Sequence, residues 1–293
     1  KSFAAFQLRG SVFPRAAKVA LFSTLVTVAI SVLLWRDLVP GMFTPGSKFT
    51  LLNESSAWAG FSSLVGFMVV FRTSQAYARF WDGCTSSHLM RAEWFDACSS
   101  VVAFCQRSKV EGQEVLQFQH CIVRLFSMLH ALALSEIEDQ TSARGELMAM
   151  SYPLIDAESI DEQSLTTLRE THCKVELVFQ WIQQLLVENI DASVLSIPAP
   201  IVSRAFQEMA SGMVHFHNAL KISTTPFPFP YAQVCDWILL AYSIIAPIVM
   251  VQWLRIAWLA CLFTFIQVFI IWCLHYIAVE LQNPFGSDAN DLD

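Results

Sequence analysis

Three stretches of this chain hold side chains whose types and spacing can do chemistry. In the first, Gly60, Ser63, Phe67 and Phe71 fall about one helical turn apart, ahead of Arg72-Thr-Ser-Gln-Ala-Tyr77-Ala-Arg79-Phe-Trp81. The plain reading of such a face is packing, with phenyl rings in the core and arginines reaching toward water at an interface. In the second, Thr225-Pro226-Phe227-Pro228-Phe229-Pro230-Tyr231-Ala232-Gln233, three alternating prolines exclude a helix interior and hold Phe227 and Phe229 by backbone constraint. A stiff linker is the plainer reading. The third runs Glu280-Leu-Gln-Asn283-Pro284-Phe285-Gly286-Ser-Asp288-Ala-Asn290-Asp291. Its density of oxygen ligands suits Ca²⁺, although the spacing is not that of an EF-hand; a solvated acidic cap is the alternative.

Catalytic groupings are absent. There is no Gly-rich phosphate loop, HExxH or GxSxG. His215 and His217 are two residues apart and point to different helix faces, and Cys84 with His88 is only half of a metal site. The eight cysteines form no CxxC pair and read as reduced thiols acting as small hydrophobes. The expectation is a protein that is not an enzyme.

The elements that position these stretches follow from composition. Of 293 residues, 55% are hydrophobic and only 15% charged, where a soluble protein has about 25%. Eighteen basic residues against 25 acidic ones exclude a nucleic-acid-binding module. Residues Lys1–Trp81 hold eight basic and two acidic residues, whereas Asp82–Lys221 hold nine basic and eighteen acidic. A basic apolar part followed by an acidic one implies a membrane part and a water-facing part.

Four runs qualify as membrane spans: Val19–Trp35, Ala57–Phe71, Tyr231–Leu254 and Ile256–Val279. A hydrocarbon core of about 30 Å needs roughly 20 helical residues. The second run is short, and its Gly60, Ser62, Ser63 and Gly66 suit close contact between helices. His275 is the one histidine within these runs, which excludes a paired-histidine haem protein. Asp236, inside the third, must face protein or water, either as an acid at the helix start or as a partner for Arg72 or Arg79. The basic residues Lys1, Arg9, Arg15 and Lys18 before the first span put the N-terminus on the cytosolic side. Four spans return the acidic middle and the C-terminus to that side.

The middle reads as a helical bundle. Leu165, Leu168, His172, Val175, Phe179, Ile182 and Leu186 repeat at alternating spacings of 3 and 4, a single seam. Further amphipathic stretches cover Glu114–Leu134 and Ile201–Leu220, with Ser135–Ser164 as a polar connection. The expected organisation is residues 1–81 with the first two spans, a bundle over 82–222, the last two spans over 223–279, and an acidic end over 280–293. The fold class is an all-α integral membrane protein with four transmembrane helices and a cytosolic helical bundle.

The three stretches together resemble the bestrophin family of anion channels, most closely its bacterial and plastid-type members. The likeness lies in F-R-T-S-x-A-Y-x-R-F-W, T-P-F-P-F-P-Y-A-Q and E-L-Q-N-P-F-G-S-D-A-N-D, in the family's order and spacing. The resemblance implies a homopentamer around one pore lined by the second span. Ser63, Phe67 and Phe71 would form its neck, with a hydroxyl at the outermost position where an apolar group is usual. Phe227 would stand at the cytosolic aperture, bulkier than the family's usual aliphatic residue. A calcium clasp of the kind found in animal members would draw on Glu280, Asn283, Asp288 and Asp291, although Ser287, Ala289 and Asn290 interrupt the acidic run and Glu280 replaces an amide. No cofactor is required; chloride is the expected permeant ion, with bicarbonate or nitrate as others, and membrane lipid is a partner. The host would be a plasma membrane or a plastid thylakoid membrane. The rival reading is a non-conducting four-span scaffold docked to a larger membrane complex, in which Phe67 and Phe71 are packing.

Overall fold

A computed structural model describes residues 10–36, 55–138, 162–254, 256–286 and 290–292. Among them the regular structure is helical throughout, apart from turns. The helices are α1 (Phe13–Trp35), α2 (Ser55–Phe104), α3 (Gly112–Glu138), α4 (Glu162–Glu170), α5 (Lys174–Asp191), α6 (Ala199–Thr224), α7 (Phe229–Trp253) and α8 (Ala257–Leu281). A 3-10 turn, Cys105–Arg107, follows α2. The chain divides into two compact units, Lys1–Phe80 with Pro226–Asp293, and Trp81–Thr225.

In the first unit α1 packs on α8, and both pack on α7. The seam between α1 and α8 is built of small residues: Ala16, Ala20, Ser23 and Thr27 against Ala260 and Thr264 are buried. Without a hydrophobic drive between helices in lipid, small side chains permit close approach, and hydroxyls add polar contacts. The Thr27 and Thr264 hydroxyls meet at 3.2 Å. Trp272 Nε1 donates to Ser243 Oγ at 2.8 Å, joining α8 to α7. Pro247 in α7 has no N–H, so it cannot close the helical bond to the Ser243 carbonyl. By contrast, Phe22, Leu25 and Trp35 on α1 are exposed, as a lipid-facing side requires.

Among the described residues, four helices are long and apolar enough to cross a membrane: α1, α3, α7 and α8. Three of them match runs anticipated from sequence to within a residue at the run's inner end. The fourth is α3, while the Ala57–Phe71 run lies within α2. Half of α3's most apolar stretch is buried inside the protein, against 17% for α1. Its hydrophobicity is that of a core helix. Ala57–Phe71 is diluted by the two glycines and two serines that make it a contact helix.

The second unit is the bundle. The α3 helix packs on α5 and on α6, with Phe118, Ile122, Phe126 and Leu129 on its buried side. The single seam expected over Leu165–Leu186 is two helices instead, with Thr171–Cys173 between α4 and α5. The Thr171 hydroxyl donates to the Thr167 carbonyl at 2.8 Å, a side-chain bond that competes with the helical ladder. His172, the polar member of that seam, is exposed at the break, and Val178 is more deeply buried than Phe179. Helix α3 also runs past Leu134 to Glu138; most of the Ser135–Ser164 connection lies outside the described residues.

One close approach holds the bundle's centre. Trp94 Nε1 donates to the Met209 carbonyl at 3.3 Å, and a Cβ at Gly212 would run into the Trp94 indole. Gly212→Ala is therefore expected to destabilise the protein by about 1–3 kcal/mol, the usual cost of overpacking. That outweighs the roughly 1 kcal/mol gained in helix propensity. Thermal unfolding of the purified protein followed by circular dichroism checks it, and an unchanged or raised Tm would show that the contact yields freely.

Candidate functional site

Helix α2 has two faces in the first unit. Trp58, Val65, Val69, Arg72 and Ala76 are buried, at the 3-, 4- and 7-residue spacings of one helical face. Trp58 stacks on Tyr242 of α7 at 5.2 Å between ring centroids. Ser63, Phe67 and Phe71, spaced at i, i+4 and i+8, are exposed. Phe67 is 66% exposed and Phe71 43%, and their rings lie 6.3 Å apart. Leu64 and Val70 are exposed beside them. The phenyl stripe is thus not part of this chain's own core.

The proline stretch meets that stripe through one residue. Pro228 sets the start of α7, with Pro230 in its first turn, where a missing N–H costs nothing. The ring of Tyr231 packs against Phe71 at 5.7 Å and against Phe227 at 5.7 Å, edge to face for the latter. Its hydroxyl donates to the Met68 carbonyl at 3.2 Å. An unbroken series of ring contacts therefore runs Phe67–Phe71–Tyr231–Phe227. Phe227 is half-buried, whereas Phe229 is 71% exposed. Tyr231 was visible in sequence only as part of a motif, since nothing in composition reveals a ring that bridges two others.

Beneath these rings sits a buried cation. Arg72 is 4% exposed, and its Nη1 donates to Asp236 Oδ1 at 3.1 Å. The same nitrogen lies 3.3 Å from His275 Nδ1. A guanidinium cannot accept, so Nδ1 supplies the lone pair and the imidazole proton resides on Nε2. That nitrogen faces Asp236 Oδ1 at 3.6 Å. The guanidinium also lies over the Phe227 ring, 5.8 Å from its centroid. Asp236 is a partner of Arg72 rather than merely an acid at a helix start. Arg79 does not share it: its Nε donates to the Gln282 carbonyl at 3.0 Å. His275 completes the cluster, and its signal was its standing as the lone ionisable side chain of the last apolar run.

The C-terminal stretch is organised around Glu280. Its Oε1 pairs with Arg15 at 3.3 Å, and its Oε2 accepts from Asn290 Nδ2 at 2.7 Å. Asn290 Nδ2 also donates to the Gly10 carbonyl at 2.8 Å, and Leu292 N to the Pro284 carbonyl at 2.9 Å. Asn283 is exposed, Asp291 packs against Gly286, and Asp288 lies outside the described residues. No group of three His, Cys, Asp or Glu side chains that could hold a metal occurs among the described residues. With both oxygens engaged and a cation already on one of them, Glu280 does not fit a calcium ligand. No step is derived through that ion.

The family model for bacterial and fungal bestrophin proteins matches residues 2–293. The chain belongs to the bestrophin family. It is 27% identical to a voltage-dependent anion channel-forming protein of Nostoc sp. (strain PCC 7120), over 98% of this chain and 85% of that protein. It is also 27% identical to one of the same description from Synechocystis sp. (strain PCC 6803), over 97% of this chain and 83% of that protein. A third relative, 21% identical over 90% of this chain, is the chloroplastic voltage-dependent chloride channel 1 of Arabidopsis thaliana, of which 60% is covered. Among solved structures, a bacterial bestrophin homolog from Klebsiella pneumoniae superposes with a TM-score of 0.74 at 13% identity, covering 94% of this chain and 91% of that one. The protein is a multi-pass integral membrane bestrophin of all-α fold.

Removing one member of the buried pair leaves the other charge poorly compensated. Asp236→Asn and Arg72→Gln are each expected to lower stability by about 1–3 kcal/mol, below the 3–5 kcal/mol of a fully buried pair because Asp236 is 54% exposed. The double variant should lose less than the two singles combined. A thermal-shift series in detergent reads this; strict additivity would mean the pair is not coupled.

Proposed function

We propose that this bestrophin is the subunit of a homopentameric channel passing chloride and other monovalent anions, with bicarbonate and nitrate among them. Ser63, Phe67 and Phe71 form its neck, and Phe227 its cytosolic aperture. The observation that carries the reading is the exposed phenyl stripe of α2, set opposite the face by which α2 packs into its own subunit. A costly apolar stripe of this kind asks for burial or for a pore, and the names of the relatives favour the pore.

The physics is that of an apolar constriction. Such a ring gates by dewetting and lets a weakly hydrated anion shed water. Phenyl rims carry positive partial charge, so rings turned edge-on favour anions over cations. The spans in this reading are α1, the Ala57–Phe71 part of α2, α7 and α8, with the Trp81–Thr225 unit in the cytosol. The α3 helix stays in the bundle because its apolar side is already covered. In this reading the pore opens without calcium, Glu280 being engaged by Arg15 and Asn290.

Phe67→Ala and Phe71→Ala separate the channel from the scaffold. Fully buried phenylalanines would cost about 3–5 kcal/mol on truncation. Exposed as these two are within their subunit, each should cost under roughly 1 kcal/mol while raising anion current severalfold in planar bilayers. A current that is absent from the unmodified protein, or cation-selective, would overturn the reading. The same recordings in a calcium chelator should show the current persisting; its loss would assign the C-terminal stretch to a calcium site. Comparing Phe227→Ala with Phe229→Ala decides the aperture, and a conductance change confined to the second would move it to Phe229.

A further inference from the structure

The Trp81–Thr225 unit carries a half-open cavity of about 440 Å³ between the later part of α2 and α3, with the exposed Phe95 and Arg91 at its mouth. That is a size small-molecule ligands occupy, about 300–1,000 Å³. Its walls are largely apolar and aromatic, with Trp94 and Phe126 among them. Trp94 is fixed by its bond to the Met209 carbonyl and meets the His130 ring edge-on at 6.5 Å. Burial pushes the Cys98 thiol in the same wall up to about 11, as a dry surround does. Arg91 brings the lining's one permanent charge, and it forms no ion pair among the described residues. An apolar wall with one unpaired guanidinium discriminates twice. It rejects cations for their charge and small hydrated anions for want of an apolar body to bury.

We propose that this cavity is a binding site for an amphipathic carboxylate of the fatty-acid type. Its tail lies against Trp94 and Phe126, and its head pairs with Arg91. The site is contained within one unit of one chain and does not depend on the conduction reading.

Binding of 11-(dansylamino)undecanoic acid to the full chain, purified in detergent, tests this by the rise in dansyl fluorescence. Saturable binding is expected, weakened at least tenfold by Arg91→Gln and largely restored by Arg91→Lys. A tenfold loss corresponds to about 1.4 kcal/mol. Ser127→Trp, which fills the cavity from α3, should abolish it, and the same dansyl chain ending in an alcohol should not saturate. Each variant is checked for unchanged size on a sizing column; Arg91, being exposed, is a position at which substitution spares the fold. The proposal falls if acid and alcohol bind alike, if Arg91→Gln binds as the unmodified protein does, or if no saturable binding occurs. It falls equally if Ser127→Trp alters the assembled size, which would make the cavity a contact between subunits.

Discussion

Arg72 is a full positive charge, 4% exposed, among the apolar helices of the first unit. A lone buried cation is untenable, so the surroundings must bring a carboxylate and acceptors to it. Asp236 from α7 and His275 from α8 do so at 3.1 and 3.3 Å. Three helices are therefore tied at one point, and the tie sets the rotation of α2. At about 100° per residue, Ser63 falls roughly 180° and Phe67 roughly 140° from Arg72 around the helix. Whatever holds Arg72 inward turns those two outward. Phe71, about 100° away, lies on the shoulder between the faces, which fits its lesser exposure and its contact with Tyr231.

The same tie reaches the proline stretch. A cation 5.8 Å from the Phe227 centroid is an attraction worth roughly 0.5–2 kcal/mol, stronger where water is excluded. Phe227 cannot settle by its backbone alone, because it lies outside regular structure, between the end of α6 and the start of α7. Arg72 from below and Tyr231 from the side supply what the backbone lacks. Phe71 and Phe227 are thereby joined through a single ring, Tyr231, whose hydroxyl is anchored on the Met68 carbonyl one turn from Phe71.

How far these features could be read in advance depends on the kind of signal. Helices α1, α7 and α8 announce themselves, since an apolar run of that length with at most one charge has few alternatives. The end of α2 does not. Arg72, Arg79 and Asp82 terminate the apolar pattern, and a boundary near Trp81 follows naturally from composition. Nothing there terminates a helix, though: no proline occurs between Ser55 and Phe104, and the backbone continues. Hydropathy and helicity are separate properties that end together only when a breaker coincides with the charges. The division of the bundle seam into α4 and α5 errs the other way. The 3-4 spacing of Leu165–Leu186 is continuous, yet one helix stops at Glu170 and the next starts at Lys174. Periodicity reports which faces are apolar and is blind to such a break. The Arg72–Asp236 pair was one of two pairings open to the sequence, and only geometry excludes Arg79, which finds a backbone carbonyl 3.0 Å away.

Glu280 shows what a carboxylate, rather than an amide, does at the start of the C-terminal stretch. An amide at this position is a neutral group that can turn its carbonyl toward a cation and its N–H₂ toward a backbone acceptor. A carboxylate has only acceptors and a charge, so it recruits donors. Here it takes Arg15, from the first turn of α1, and Asn290, which in turn reaches the Gly10 carbonyl. The start of α1 and the segment after α8 are joined as a result, at the ends of two helices already packed along a small-residue seam. An exposed ion pair contributes little by itself, about 0–1 kcal/mol. Its effect is directional: a cation arriving at this segment would have to displace Arg15 before it could reach Glu280. The charge that makes the stretch look more attractive to a metal is what commits it to the protein's own arginine.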